Sequence, residues 1–118
     1  MAVLFIQLGM GVDLHGQDAT VAAVRAVREA IGHNSLPGMR RLLPGNDMQN
    51  MRVNVTLASP VPASQINLDE VKRTFPYGTV TINVVSGGMM LHGGAVRPEL
   101  GDRSDEILVV NAAVEVGD

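Results

Sequence analysis

Two segments, 51–59 and 78–86, alternate between apolar and polar residues along their length, and this period of two constrains the fold more than any other feature of the chain. Val53, Val55 and Leu57 in the first, with Val80, Ile82 and Val84 in the second, turn to one side. Arg52, Asn54, Thr56, Thr79, Thr81 and Asn83 turn to the other, with Gln7 and Asn111 expected beside them from neighbouring strands. Residues 2–8 form a continuous apolar run suited to a buried strand, and 105–115 is apolar on both faces. Val21, Val24, Val27 or Arg28, and Ile31 recur at helical spacing within 17–32, and Gly32 and Asn34 end that helix. Asn67 to Glu70 reads as a capping box, with Ile66 and Val71 as its hydrophobic staple, opening a short helix that Pro76 stops. Pro-Gly pairs at 37–38 and 44–45 bracket Met39–Leu43, which marks 34–50 as a loop with one helical turn.

The expected class is therefore α+β in the order β-α-β-α-β-β: a mixed four-stranded sheet with two helices on one face, as a single domain over 1–118. Two helices cover one face only, so the half-polar second face meets water or copies of the same chain, and self-association is the expectation. Seven methionines fit adaptable contacts of that kind, or gap-filling in the core. The formal net charge of -3 and the single lysine, Lys72, leave no basic stripe, which argues against nucleic acid and anionic membranes as partners. The apolar start lacks a basic n-region and its run ends at Gly9, so it reads as the first strand of a cytoplasmic protein. Without cysteine, a metal would need His, Asp or Glu. The identity of any cofactor is open, but the glycines do not match the dinucleotide fingerprint, and Walker and His-Glu-x-x-His motifs are absent.

Chemistry concentrates in two glycine-rich strings. Gly9-Met10-Gly11-Val12-Asp13-Leu14-His15-Gly16 follows the first strand and offers Asp13 and His15 two residues apart, as a carboxylate orienting an imidazole or as two metal ligands. Gly87-Gly88-Met89-Met90-Leu91-His92-Gly93-Gly94 follows the third strand and adds His92. With strands one and three parallel, both strings leave the carboxyl edge of the sheet, where Ser59 and Ser86 also lie. The expected catalytic residues are Asp13, His15, Ser86 and His92, and the expected substrate-binding residues are Gly9, Gly11, Gly16, Gly87, Gly88 and Arg97. Asp13, His15 and His92 are also an alternative mixed metal set. Plainer roles compete: Asp13 or Asp18 caps the first helix, His33 meets the helix dipole, and Arg40 with Arg41 is a solvated pair.

The Gly-x-Gly-x-Asp-x-His-Gly string resembles the signature of the Lin family of conserved hypothetical proteins of bacteria and plants, and the likeness extends over essentially the whole chain. The element order is similar to the chorismate-mutase-like and YjgF-like fold, which implies three subunits packing their sheets about a threefold axis. In that order strands one and three lie at opposite edges, roughly 14 Å apart, so His15 and His92 are expected to meet only across subunits. Val84-Val85-Ser86-Gly87-Gly88 is similar to a segment of each repeat of cyanuric acid hydrolase and barbiturase, where a serine pairs with a lysine to open a cyclic amide. Here Lys72 falls on the second helix, away from Ser86.

Two functions are left. One is a homotrimeric hydrolase of a small cyclic amide or related nitrogen compound, using His15 as acid/base, Asp13 to orient it and Ser86 as nucleophile or oxyanion partner. The other is a non-catalytic trimer that binds a small metabolite or anion in the same clefts.

Overall fold

The last strand in the sequence is an inner strand of the sheet. A computed structural model, which describes residues 1–118, contains β1 (Val3–Asp13), α1 (Ala19–Gly32), α2 (Met39–Leu42), β2 (Arg52–Ser59), α3 (Leu68–Lys72), β3 (Thr79–Ser86), β4 (Met89–His92) and β5 (Glu106–Gly117). The sheet order is β1-β5-β2-β3, with β5 antiparallel to β1 and β2, and β2 parallel to β3. This is the expected α+β architecture, with β1 and β3 at opposite edges. The sheet has five strands where four were expected. Met89–His92, read as loop, pairs antiparallel with β5 from His92↔Glu106 to Met89↔Val109, taking up β5 where β2 has ended. No helix is long and apolar enough to cross a membrane.

Register rows across the sheet explain both faces. Gln7, Val114, Val55 and Ile82 form one row toward the helices; Gly9, Ala112, Leu57 and Val84 form the next. Gln7 thus lies on the buried face, not on the polar one expected for it. The opposite face grades from apolar at β1, where Ile6, Leu8 and Met10 are exposed, to polar at β3, with Thr81 and Asn83.

Helix α1 packs on β1 and β5 through Ala19, Ala22, Ala23, Ala26, Val27 and Ala30, while Val21, Val24 and Ile31 are only half-buried. The apolar face is thus rotated from the valine stripe to an alanine stripe. The cause lies on the strand: a Cβ on Gly9 would overlap the Ala26 carbonyl, and one on Gly11 the Ala22 carbonyl. Glycine on the strand and alanine on the helix bring the two backbones together. Asp18 caps α1, accepting from Thr20 N–H at 2.9 Å and Val21 N–H at 3.3 Å, and Asn67 caps α3 through Glu70 N–H at 3.2 Å. Helix α1 also covers part of the free edge of β1: Met10 N–H donates to Glu29 Oε1 and the Arg25 guanidinium donates to Val12 O.

Candidate functional site

Because β5 runs antiparallel between β1 and β2, its start lies at the same sheet edge as the ends of β1, β2 and β3. The polar segment Asp102–Asp105 that leads into β5 therefore meets both glycine-rich strings. Asp102 is the centre of this edge, with its side chain only 1% exposed. Its Oδ2 lies 2.7 Å from His15 Nδ1 and accepts from Arg97 N–H at 2.9 Å; its Oδ1 accepts from Gly16 N–H at 2.7 Å and Gln17 Nε2 at 3.0 Å. An ionised carboxylate only accepts, so the proton of a neutral His15 sits on Nδ1 and Nε2 is the ring's free acceptor. The imidazole is 32% exposed and reachable. Burial alone would push the Asp102 carboxyl up, but the Arg97 amide, His15, the Gly16 amide and Gln17 outweigh it and hold it well below the usual carboxylate range.

Gln17 is the strut that keeps this arrangement in place. It holds a left-handed backbone (φ 51°), and its side chain also donates to Ser104 O and Glu106 O while accepting from Arg103 N–H. Gly16, at φ 98°, makes the turn that a side chain would strain. An open depression of about 520 Å³ adjoins the turn, lined by Gly16, Gln17, Asp18, Ala19, Gln65 and Arg103.

Asp13 does not orient His15. Buried at the end of β1, it accepts Asp18 N–H at 2.9 Å and lies 3.6 Å from Arg25 Nη1, so it braces the entry to α1. Alternation along a strand had suggested that residues 13 and 15 point together, but β1 ends at Asp13 and the turn sends His15 elsewhere. Gly9 and Gly11 lie against the α1 backbone, where a Cβ would overlap it. Gly87 and Gly88 carry the chain across the end of β2 to β5: a Cβ on Gly88 (φ 63°) would overlap the Val109 carbonyl, one on Gly87 would crowd Ala58, and Gly87 N–H donates to Ser59 O at 3.1 Å. The Arg97 side chain is taken up by Glu99 at 2.8 Å. Ser86 lies in a separate cleft of about 330 Å³ formed by Ser59–Ala63 and Val84–Ser86, with neither histidine nor lysine in its lining.

Strand β4 brings the second string to the same Asp102–Asp105 segment that holds the first, without joining the two histidines. His92 Nδ1 lies 2.8 Å from Asp105 Oδ1, so both histidines pair with acids three residues apart. Hydrogen bonding and charge from Asp105 raise His92 above 6.5, and His92 together with Gly94 N–H lowers Asp105. The His92 pair is much more open, its imidazole 73% exposed. His15 and His92 do not bond to each other, and no three His, Asp or Glu side chains gather as a metal would require, so the Asp13–His15–His92 set does not form. Asp102, Asp105 and Gln17 were missed in the sequence. Two acids just ahead of an antiparallel inner strand were the available signal, because such a strand must begin where its neighbours end.

Comparison with known proteins agrees with this architecture. The crystal structure of an FtsZ-like protein of unknown function from Nostoc punctiforme PCC 73102 is similar, with a TM-score of 0.88 and 45% identity over 98% of this chain and 93% of that one. No curated protein matches. The conserved hypothetical protein family Lin0512_fam matches residues 3–116. The chain belongs to that family.

Proposed function

We propose that the His15–Asp102 pair is the reactive centre of a small homo-oligomeric hydrolase acting on a non-peptide C–N bond, in a cyclic amide or related nitrogen compound. The carrying observation is a carboxylate sealed from solvent and fixed by four donors, set 2.7 Å from the Nδ1 of a reachable imidazole. Such an acid fixes the tautomer and stabilises the imidazolium that forms when Nε2 takes a proton. With Ser86 in another cleft, water is the nucleophile: Nε2 accepts its proton as oxygen adds to the carbonyl, then returns it to the departing nitrogen. The substrate reaches His15 from the depression beside the Gly16–Gln17 turn, which Gln65 and Arg103 also line.

Binding without turnover is the second reading, and one observation favours it. The Gly16 and Arg97 amides, which an oxyanion would need, already donate to Asp102. A spectrophotometric assay on succinimide, hydantoin and dihydrouracil separates the two. The hydrolase reading expects turnover that falls about 10²–10⁴-fold in His15→Ala with little change in affinity. Absence of turnover in the wild type, or full turnover in His15→Ala, contradicts it.

Self-association rests on the outer sheet face. Ile6, Leu8 and Met10 form an exposed strip, Leu8 at 73%, beside uncharged Thr56 and Asn83. Arg52 and Glu115, one cation and one anion, lie on that same face, and a second copy satisfies both. Extension of the sheet past β1 is opposed by Glu29 and Arg25 at Met10 and Val12, so association runs face to face. Native mass spectrometry is expected to show a trimer or a multiple of three, reduced to monomer by Leu8→Glu; a wild-type monomer contradicts the reading.

A further inference from the structure

The geometry points to a second binding site at the other end of β1, for a small neutral molecule that combines a flat apolar ring with one amide group. A cavity of about 290 Å³ lies between the helix-side face of the sheet and the long connection after α1. All three aromatic residues of the chain, Phe5, Phe75 and Tyr77, line it, as do three of the seven methionines, Met39, Met48 and Met51. No charged side chain lines it. Aromatic rings and thioethers fit flat apolar groups of varied outline, and an ion is costly to bury among them.

Gln7 supplies the polar contact. It is 7% exposed, in a row with Val114, Val55 and Ile82, and its amide has no hydrogen-bond partner in the chain. No side-chain nitrogen or oxygen that lacks a partner is wholly sealed, so the Gln7 amide reaches the cavity it lines. An amide without a protein partner that opens into the cavity bonds water there, and it is placed where an incoming group can take that water's place. One donor beside one acceptor selects the complementary pair of a primary amide or lactam, which forms two hydrogen bonds with Gln7. Asn34 and Tyr77 also line the cavity but are exposed, so Gln7 is its buried polar group; an apolar cavity with few polar groups is the usual form of a small-molecule site.

Gln7 and Asp13 sit on the same face of β1, six residues and roughly 20 Å apart, so this site is separate from His15 and does not rest on the hydrolase reading. Benzamide and toluene, similar in shape with and without the amide, are suitable probes. With the methionine methyls labelled by carbon-13, benzamide is expected to shift Met39, Met48 and Met51 saturably and to leave Met89 and Met90 unmoved. Gln7→Leu is expected to weaken benzamide about tenfold while toluene binds as before. Absence of shifts with both probes, equal benzamide affinity in Gln7→Leu, or shifts confined to Met89 and Met90 overturns the assignment. If Gln7→Leu does not fold, Leu36→Trp, at an exposed residue of the lining, is expected to block both probes; undiminished benzamide binding in it overturns the assignment equally.

Discussion

The two ends of β1 bury polar groups in opposite ways. At the Asp13 end the buried carboxylate and its strut are matched: Asp102 takes four donors and Gln17 satisfies Asp102, two carbonyls and an amide. At the Phe5 end the buried Gln7 amide has no protein partner and opens into a largely apolar cavity. Saturated polar networks hold a side chain in one pose, which suits a reactive imidazole, whereas an unsatisfied group beside open space suits a ligand. The glycines sharpen the contrast. Gly9 and Gly11 let α1 press on β1 toward the Asp13 end, while at the other end Phe5 occupies the same face and lines the cavity.

The largest expected effect comes from opening the tight end. Gly11→Val forces a side chain into the α1 backbone and is expected to cost about 3 kcal/mol, read from urea unfolding followed by circular dichroism. A neutral outcome would show that α1 does not depend on this approach.

Next is Asp102→Asn, which keeps the shape but turns an acceptor-only group into one that faces its donors with an NH₂. Its melting temperature is expected to fall further than that of Asp105→Asn or Asp13→Asn. The folded Asp102 carboxyl titrates below its ordinary 3.8, so its contribution is present above that pH and is lost as pH falls through the lowered folded value. Asp102→Asn should therefore flatten the acid limb of stability against pH.

At the loose end the sign reverses. Gln7→Leu replaces an amide that has no protein partner by an apolar side chain and is expected to raise stability slightly, by less than about 1 kcal/mol, measured as a shift in urea midpoint at unchanged slope. Destabilisation would mean that the amide is satisfied after all and that the two ends are alike.

The smallest effect belongs to the open pair. His92 is raised above 6.5 by Asp105, so its contribution is full below 6.5 and is lost as pH rises through the raised folded value. An NMR titration should show His92 deprotonating above 6.5, and Asp105→Asn should lower that midpoint. Stability should change little, because the pair is exposed.

Strand and helix order was legible because alternation in 51–59 and 78–86, and the caps at Asp18 and Asn67, are local signals that packing did not override. Strand β4 was not, since Met89–His92 is too short to show a period and is set by the crossover at Gly87 and Gly88. His15 stood out in the sequence, yet its acid did not. Asp13 is near it in the chain, whereas Asp102 reaches it only because β5 lies antiparallel beside β1, a contact 87 residues apart. The glycine string was visible as a string, but its first two glycines answer to alanines on α1, a match between elements that local composition does not display.

The central claim is that Asp102, not Asp13, sets the state of His15. Nitrogen-15 NMR of the His15 ring tests it directly: the wild type is expected to show a slowly exchanging Nδ1–H, lost in Asp102→Asn and retained in Asp13→Asn. Retention in Asp102→Asn with loss in Asp13→Asn would contradict the account.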